Sequence, residues 1–530
     1  MAAADLSSPG QSPADEERAD DLLSRFGLEA FRPGQRAAVE AALQGRDSLI
    51  VMPTGGGKSL CYQLPGLASE DLTIVVSPLV ALMRDQWKAL RIAGHPVAMI
   101  SSGMTWKAVR KALGRIRNGE ARMVYCSPER FGSDLFTDAL AERRIDLLTI
   151  DEAHCISEWG HDFRADYLRL PEIAEQLGRP TLMACTATAT KAVAAEIADR
   201  FEMRDPLQVR SSFDRPNLSF DVVRLEGKGS KAVRLALLET GLGDPENRPA
   251  IVYCGTRNET DELAKDLGSA GLKVASYHAG MESKDRTAAQ NRFMNGKVDV
   301  VVATNAFGMG VDKADVRSVW HATIPTSLEA YYQEAGRAGR DGLQAKAILL
   351  AMRADLGRLV RFNQERHDDP ERVIARERGW RAYQTIKAFV SSNRCRRQQV
   401  LEHFGDRSAS DPLGRCCDVC HPSDWPPDLE TISVASRSRI RKKIAKHDLP
   451  PADISLLRAL RSWRRQTADG IEVYKVVHSS ALEGIASLCP NTLDGLEEIS
   501  GIGPGFISKY GVEVIAIVKK HCTGVNERTR

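Results

Sequence analysis

No run of 18 apolar residues occurs in the sequence, so nothing in it reads as a transmembrane helix, and no membrane partner is expected. Near Met1 there is no basic segment followed by an apolar one, which argues against a secretory leader. An excess of charge of one sign is also missing. Lys+Arg number 73 and Asp+Glu 70, a formal net charge of +3, so any nucleic-acid surface has to be local. Cysteine is too sparse for a disulfide scaffold: of 11 in 530 residues, seven are scattered and four gather between Cys395 and Cys420. In a chain with no export signal, that cluster favours a metal site.

What remains is ordinary for a globular protein, 43% hydrophobic and 27% charged, with length for about three or four domains. Residues 1–20, rich in Ala, Ser, Pro and acids, read as a disordered tail. Residues 21–210 alternate short apolar runs with helical stretches. SLIVM (48–52), TIVVS (73–77), ARMVYC (121–126), DLLTID (146–151) and TLMACTAT (181–188) read as buried parallel strands. A second series spans 211–354: AIVYCGT (250–256), KVASYHA (273–279), VDVVVATN (298–305), VRSVWHAT (316–323) and AKAILLA (345–351). The fold class expected is α/β, two parallel-sheet lobes followed by a helical, cysteine-bearing subdomain (355–420) and a small all-α domain (453–530). The linker 421–452 has three prolines in HPSDWPPDLE and six basic residues in SRSRIRKKIAK. Its basic part, Arg437–Lys446, serves either as a phosphate grip or as a solvated linker.

The strongest local signal is MPTGGGKS (52–59), directly after SLIVM. Backbone N–H groups of Thr54, Gly55, Gly56 and Gly57 can converge on phosphate oxygens. Lys58 supplies charge to the outer phosphates, and Ser59 opens a helix where it can hold Mg²⁺. Met52 stands where the general pattern has glycine. DEAH (151–154) closes the strand DLLTI. Asp151 is placed to hold Mg²⁺, and Glu152 to orient and deprotonate an attacking water. Alone, such an acidic pair is equally a helix cap. In QEAGRAGRDG (333–342), Arg337 and Arg340 lie three apart on one helical face, with Gln333 before them. An arginine finger from the second lobe would complete the first lobe's site on closure; a solvated basic turn is the plainer alternative.

These motifs occur in the order of a superfamily 2 helicase, and their wording resembles the RecQ family of DNA helicases. The resemblance covers about residues 22–420 and 453–522. It implies two RecA-like lobes, ATP and Mg²⁺ as cofactors, and 3′→5′ translocation on single-stranded DNA with unwinding in recombination and repair. FGLEAFRPGQ (26–35) resembles the adenine-recognition segment, with Gln35 reading the base edge and Arg32 supporting it. SPLVALMRDQ (77–86), YCSPER (125–130) and ATNAFGMGVDK (303–313) resemble motifs of the two lobes, placing Ser77, Arg130 and Thr304 at nucleic acid. TAT (186–188) matches the motif that couples hydrolysis to movement, and SFDRPNL (212–218) the lobe-to-lobe junction. HCISEWGHDFRADY (154–167) resembles an aromatic-rich loop. Trp159 and Phe163 can stack on bases, Arg164 can pair with phosphate, and His154 and His161 can relay strain; Trp159 and Phe163 serve equally as core anchors.

Cys395 sits on one helix, and Cys416, Cys417 and Cys420 in the turn GRCCDVC (414–420). Four thiolates suit tetrahedral Zn²⁺; buried free cysteines or a three-cysteine site are the alternatives. Residues 453–522 resemble the HRDC domain. Its ISGIGPGFISKYG segment (499–511) reads as either a phosphate contact or a tight helix corner.

RecQ proteins commonly carry a winged helix after the zinc module. Only 32 residues (421–452) are available here, too few for a domain of about 50. An ATP-driven translocase or annealing factor without strong unwinding is therefore carried as a second reading. A non-enzymatic DNA adaptor and an RNA helicase are further rivals. The resemblance also implies single-stranded and forked DNA, single-strand-binding proteins and repair proteins as partners. A cytoplasmic, nucleoid-associated location is expected, or the nucleus in a eukaryote.

Overall fold

The computed structural model describes residues 13–53, 55–157, 164–225, 230–308, 313–364, 373–422, 452–468, 476–497, 499 and 501–522. Two parallel sheets organise the chain up to residue 352. The first holds β1 (Ser48–Val51), β2 (Leu72–Val76), β3 (Val97–Ile100), β4 (Met123–Cys126), β5 (Ile145–Ile150), β6 (Thr181–Thr186) and β7 (Leu207–Arg210), in the order β3-β4-β2-β5-β6-β1-β7. The second holds β8 (Leu218–Leu225), β9 (Ala250–Tyr253), β10 (Val274–Tyr277), β11 (Val300–Ala303), β12 (Ser318–His321) and β13 (Ala345–Met352), in the order β10-β11-β9-β12-β13-β8. All neighbours run parallel, for example Leu49 against Ala184 and Val319 against Ile251. The two-lobe expectation therefore stands.

Strand burial explains the apolar runs. SLIV and LTIVV are buried at every position because helices cover both sheet faces, so an alternating pattern has no place there. The strands β3, β7 and β8 were not expected. VAMI is short and follows His95-Pro96, while LQVR and LSFDVVRL interleave polar residues because they lie at sheet edges. The sheet orders put the carboxyl ends of β1 and β5 near each other across β6, and this places the glycine loop beside the acidic pair.

The reading of residues 1–20 as wholly disordered is corrected. A helix runs Pro13–Arg25, and Ala19, Leu22 and Leu23 pack against Val39 and Leu64. Ala19, Leu22, Leu23 and Phe26 keep helical spacing, a signal the surrounding acids and arginines masked by composition.

Asp47 ties three segments of the first lobe together. Its carboxylate accepts from the Leu182 N–H at the start of β6 (2.8 Å), the Arg204 N–H (2.8 Å) and the Arg179 guanidinium (2.9 Å).

Beyond the second sheet, helices Arg353–Gln364, Val373–Ser391 and Arg396–His403 carry the arginine-rich stretch. The turn after them docks on β8: Phe220 N–H donates to Cys416 O (3.1 Å), and Phe220 pairs with Cys417 as an isolated parallel bridge. That occupies part of an otherwise open sheet edge.

The unit from Leu429 onward is separate. Helices Ile454–Ala468, Ser479–Leu488, Leu493–Glu497 and Pro504–Cys522 close over Leu456, Leu460, Trp463, Leu482, Ile485 and Val514. Ile499 and Ile502, in the Gly-rich turn, are buried in that core, which favours the helix-corner reading there. The basic stretch Arg437–Lys446 lies outside the described residues.

Asp47→Ala strands the buried Leu182 N–H, the part-buried Arg204 N–H and the half-buried Arg179 guanidinium. It should destabilise the first lobe by about 3 kcal/mol. Denaturant unfolding of the variant against the parent chain measures this; an unchanged midpoint would show that Asp47 ties nothing.

Candidate functional site

Gly57 opens the helix Lys58–Ala68 with a φ of 80°, a left-handed conformation suited to glycine, and a side chain there would collide with the Gln35 amide. The loop thus turns back sharply and brings Lys58 beneath its own backbone. The Lys58 ammonium donates to Met52 O (3.0 Å) and Pro53 O (3.4 Å). Gln35 donates through Nε2 to Gly57 O (3.0 Å) and accepts the Arg32 N–H at Oε1 (2.7 Å). The Arg32 guanidinium donates to Gly55 O. The segment expected to read a base is therefore joined to the glycine loop.

Ser59 Oγ accepts from Gln86 Nε2 (2.8 Å), whose Oε1 accepts the Tyr62 hydroxyl (2.9 Å). Asp151 is buried at the end of β5. Burial pushes its carboxyl up from the ordinary value, opposed by the Lys58 charge and by the Ser77 hydroxyl, which donates to Oδ2 (3.1 Å). A carboxylate and a serine hydroxyl beside a lysine form an oxygen donor set that fits a hard cation carrying phosphates.

Glu152 has φ 50°, a left-handed backbone rare for a non-glycine residue. Such backbone strain persists where the surroundings over-determine it, often at working sites. His154 Nδ1 lies 3.4 Å from Glu152 Oε2 and 2.9 Å from Thr186 Oγ1, so one buried imidazole touches both the acidic pair and the end of β6.

The second lobe reaches this site. A methyl group on Gly55 would lie 3.9 Å from Cγ of Arg340, which places that arginine against the glycine loop. Arg337 is buried, its guanidinium packed over Gly308. Gln333 is half-buried on the helix Leu328–Ala335, one turn before Arg337.

Two residues that position these arginines were missed from sequence. Arg215 donates to Gly336 O (3.0 Å), Ala338 O (2.8 Å) and Gly339 O (3.0 Å). Asn217 Nδ2 donates to Gly339 O (2.7 Å) and Leu343 O (2.8 Å). The available signal was SFDRPNL, where Arg215 and Asn217 flank a proline between Phe213 and Leu218.

The sulfur atoms of Cys395, Cys416, Cys417 and Cys420 all lie within 4.8 Å of one another. Cys395 Sγ is 3.7 Å from Cys416 Sγ and 4.0 Å from Cys417 Sγ. Tetrahedral zinc with Zn–S bonds of about 2.3 Å requires S···S separations of roughly 3.8 Å. These two separations match that value, and the adjacent Cys416–Cys417 pair converges on Cys395. Arg396 clamps the turn through a bidentate pair with Asp418 (3.0 Å for both contacts).

Known proteins agree with this geometry. The DEAD/DEAH box helicase family matches residues 32–197, the helicase conserved C-terminal domain 217–342, the RecQ zinc-binding family 353–421 and the HRDC domain 453–518. An ATP-dependent DNA helicase Q1 protein of Caenorhabditis briggsae is 35% identical over 448 residues, covering 83% of this chain and 71% of that protein. The chain belongs to the RecQ family. The ATP-dependent DNA helicase RecQ of Haemophilus influenzae is 38% identical over 399 residues, 75% of this chain and 62% of that protein. The chain thus spans about three fifths of that bacterial relative. Among solved structures, the DUF1998 helicase MrfA bound to DNA and AMPPNP has a TM-score of 0.54 at 20% identity, over 76% of this chain and 60% of that one. Dbp5 of Saccharomyces cerevisiae, bound to RNA and ADP BeF3, has a TM-score of 0.53 at 16% identity, over 81% and 97%. Both likenesses concern the fold.

Within that RecQ frame the remaining expected residues separate. Ser77 is 1% exposed and its hydroxyl donates to Asp151 Oδ2. Arg130 lines a cavity of about 190 Å³ with Trp106 and Phe136, and Thr304 lines another at the carboxyl ends of β9, β11 and β12. Arg164 is half-buried, with its N–H on Cys155 O (2.9 Å). Thr54, Trp159, His161 and Phe163 lie outside the described residues.

Metal analysis of the purified chain should return one zinc per molecule. Cys417→Ser should lose it together with roughly 3 kcal/mol of stability, seen as a midpoint about 6–12 °C lower. Zinc retained at full occupancy in that variant would exclude the four-thiolate centre.

Proposed function

We propose that this RecQ-family chain is an ATP-dependent DNA helicase that translocates 3′→5′ on single-stranded DNA. One observation carries the reading: Arg340 of the second lobe packs against Gly55 of the first, beside Lys58 and the Asp151–Glu152 pair. A cleft with a cationic loop on one wall and an arginine on the other responds to a triphosphate by closing.

Gln35 and Arg32 hold the loop and present an edge to the adenine. Lys58 and the loop N–H groups bind the β- and γ-phosphates. Ser59 and Asp151 would hold Mg²⁺, which supplies charge to the phosphoryl oxygens. Glu152 takes a proton from the attacking water; the bond from that oxygen to the γ-phosphorus forms as the bond to the β–γ bridging oxygen breaks, releasing ADP and phosphate. Gln333, Arg337 and Arg340 meet the charge that develops on the γ-phosphoryl group. His154 passes the change at Glu152 to Thr186 and so to the segment facing the second lobe. Cys395, Cys416, Cys417 and Cys420 would hold Zn²⁺ as a brace. Single-stranded and forked DNA are the substrates, and single-strand-binding and repair proteins the partner class.

A second reading is kept for a specific reason. The 32 residues between Cys420 and Asp453 leave no room for a duplex-splitting winged helix, which favours an ATP-driven translocase or annealing factor with weak strand separation. Forks with a 3′ or a 5′ tail discriminate the two: displacement on the 3′-tailed fork supports the helicase, and hydrolysis without displacement the translocase.

Lys58→Ala should lower DNA-stimulated ATP hydrolysis by at least about 100-fold while the thermal midpoint holds. Turnover retained in the variant would refute the site.

A further inference from the structure

We propose that a cavity of about 250 Å³, walled by both lobes and by the helix Val373–Ser391 of the cysteine module, seats one backbone phosphate of a single-stranded polynucleotide. The inference rests on the motor reading and adds to it a contact contributed by the zinc-binding module.

Three walls converge. From the first lobe come Thr188 and Thr190, at the start of the helix Lys191–Arg200, whose N-cap Thr190 accepts from Val193 N–H (3.3 Å). From the second comes Ser327, the N-cap of Leu328–Ala335, accepting from Ala330 N–H (3.1 Å). From the cysteine module come Arg378, Arg381 and Thr385, spaced three and four apart so that one helical face presents them. Two helix N-termini and two guanidinium groups around one space select for a multi-oxygen anion.

A separate observation points to a ligand. Thr188 is 2% exposed, and its hydroxyl oxygen is buried with no hydrogen-bond partner while the residue lines the cavity. An unsatisfied buried hydroxyl costs about 1–3 kcal/mol, which a phosphate oxygen would relieve. Glu329 is the single acid among the lining residues, and His403 engages it at 2.7 Å.

The remaining wall, Ala192, Val193 and Ala382, is apolar and suits the sugar of a nucleotide better than a free ion. Thr188 stands two residues beyond Thr186, which holds His154 beside Glu152. Hydrolysis is thereby linked to a seat whose walls belong to both lobes, so lobe movement changes its grip.

The test is equilibrium binding of a fluorescent 20-nucleotide oligo-dT to the full chain across salt concentrations. The Arg378→Ala/Arg381→Ala variant should raise Kd roughly tenfold. It should also reduce the slope of log K against log salt by about 0.7, the loss of one phosphate contact. Arg378→Lys/Arg381→Lys keeps both charges and should restore the slope. Thr385→Glu, which places an anion in the cavity and spares both arginines, should weaken binding as well, so the inference stands even if the alanine pair loses its zinc. A wild-type chain that binds oligo-dT and hydrolyses ATP, with Kd and slope unchanged in both the alanine pair and Thr385→Glu, overturns the seat alone. A wild-type chain that does neither overturns the motor reading and the seat together. If inorganic phosphate stabilises the wild type but not the alanine pair, and oligonucleotide binding is unchanged between them, the cavity holds free phosphate and the assignment to a strand fails.

Discussion

Arg215 is the constraint on which the candidate active site depends. Its guanidinium holds three carbonyls, of Gly336, Ala338 and Gly339, in the turn that carries Arg337 and Arg340. Glycines at 336 and 339 let that turn approach closely but give it no rigidity of its own. An arginine finger has to be within a fraction of an ångström of its target to be useful, and a glycine-rich turn alone would wander. Burial lowers the Arg215 pKa from its ordinary value, and the carbonyl oxygens it faces offset the loss of water.

The clasp continues into the cysteine module. Arg397, buried beneath the junction, donates to Asp214 Oδ1 (2.5 Å), Arg215 O (2.8 Å) and Leu218 O (2.6 Å). Its neighbour Arg396 grips Asp418 in the metal-binding turn. Two consecutive arginines therefore face opposite tasks, one fixing the junction between lobes and the other fixing the turn of the cluster. The role of a zinc ion here follows from that connection. Bound by the four cysteines, it would close a loop more than twenty residues long and brace Arg397 beneath Arg215, whose bonds hold the turn that carries Arg340. A metal there would be far from the chemistry and still bear on its geometry.

Much of this was legible in the sequence where a function needs a fixed local pattern. The glycine loop, the acids at the end of β5 and the cysteine spacing each require particular residue types at particular offsets, so order and spacing carried them. The two lobes were legible because central parallel strands are buried on both faces and read as apolar runs. β3 is just as buried but only four residues long, and β7 and β8 interleave polar residues, which is why these three escaped notice. Side-chain direction was less accessible. Ser77, just after β2, lies in a segment that resembles a nucleic-acid motif, and nothing in that segment announces the hydrogen bond its hydroxyl makes to Asp151. Arg215, Arg397 and Thr188 acquire their roles from partners more than 100 residues away or from another module, and no local spacing encodes that.

A motor on a single strand needs two grips that alternate, and each grip has to know the state of the nucleotide. On the proposed reading His154 would provide the first half of that communication, since one imidazole touches both Glu152 and Thr186. The second half requires that something beyond Thr186 change its environment when the lobes close. Thr188 does so by position: it emerges from the first lobe into space bounded by the second lobe and by the cysteine module. Only 32 residues separate Cys420 from the terminal helical unit, fewer than the roughly 50 a further domain needs. On the proposed motor reading, force from the cleft would pass through the lobes and the cysteine module, and the rigidity of the Arg215–Arg397 clasp would set how much of each closure becomes displacement along the strand.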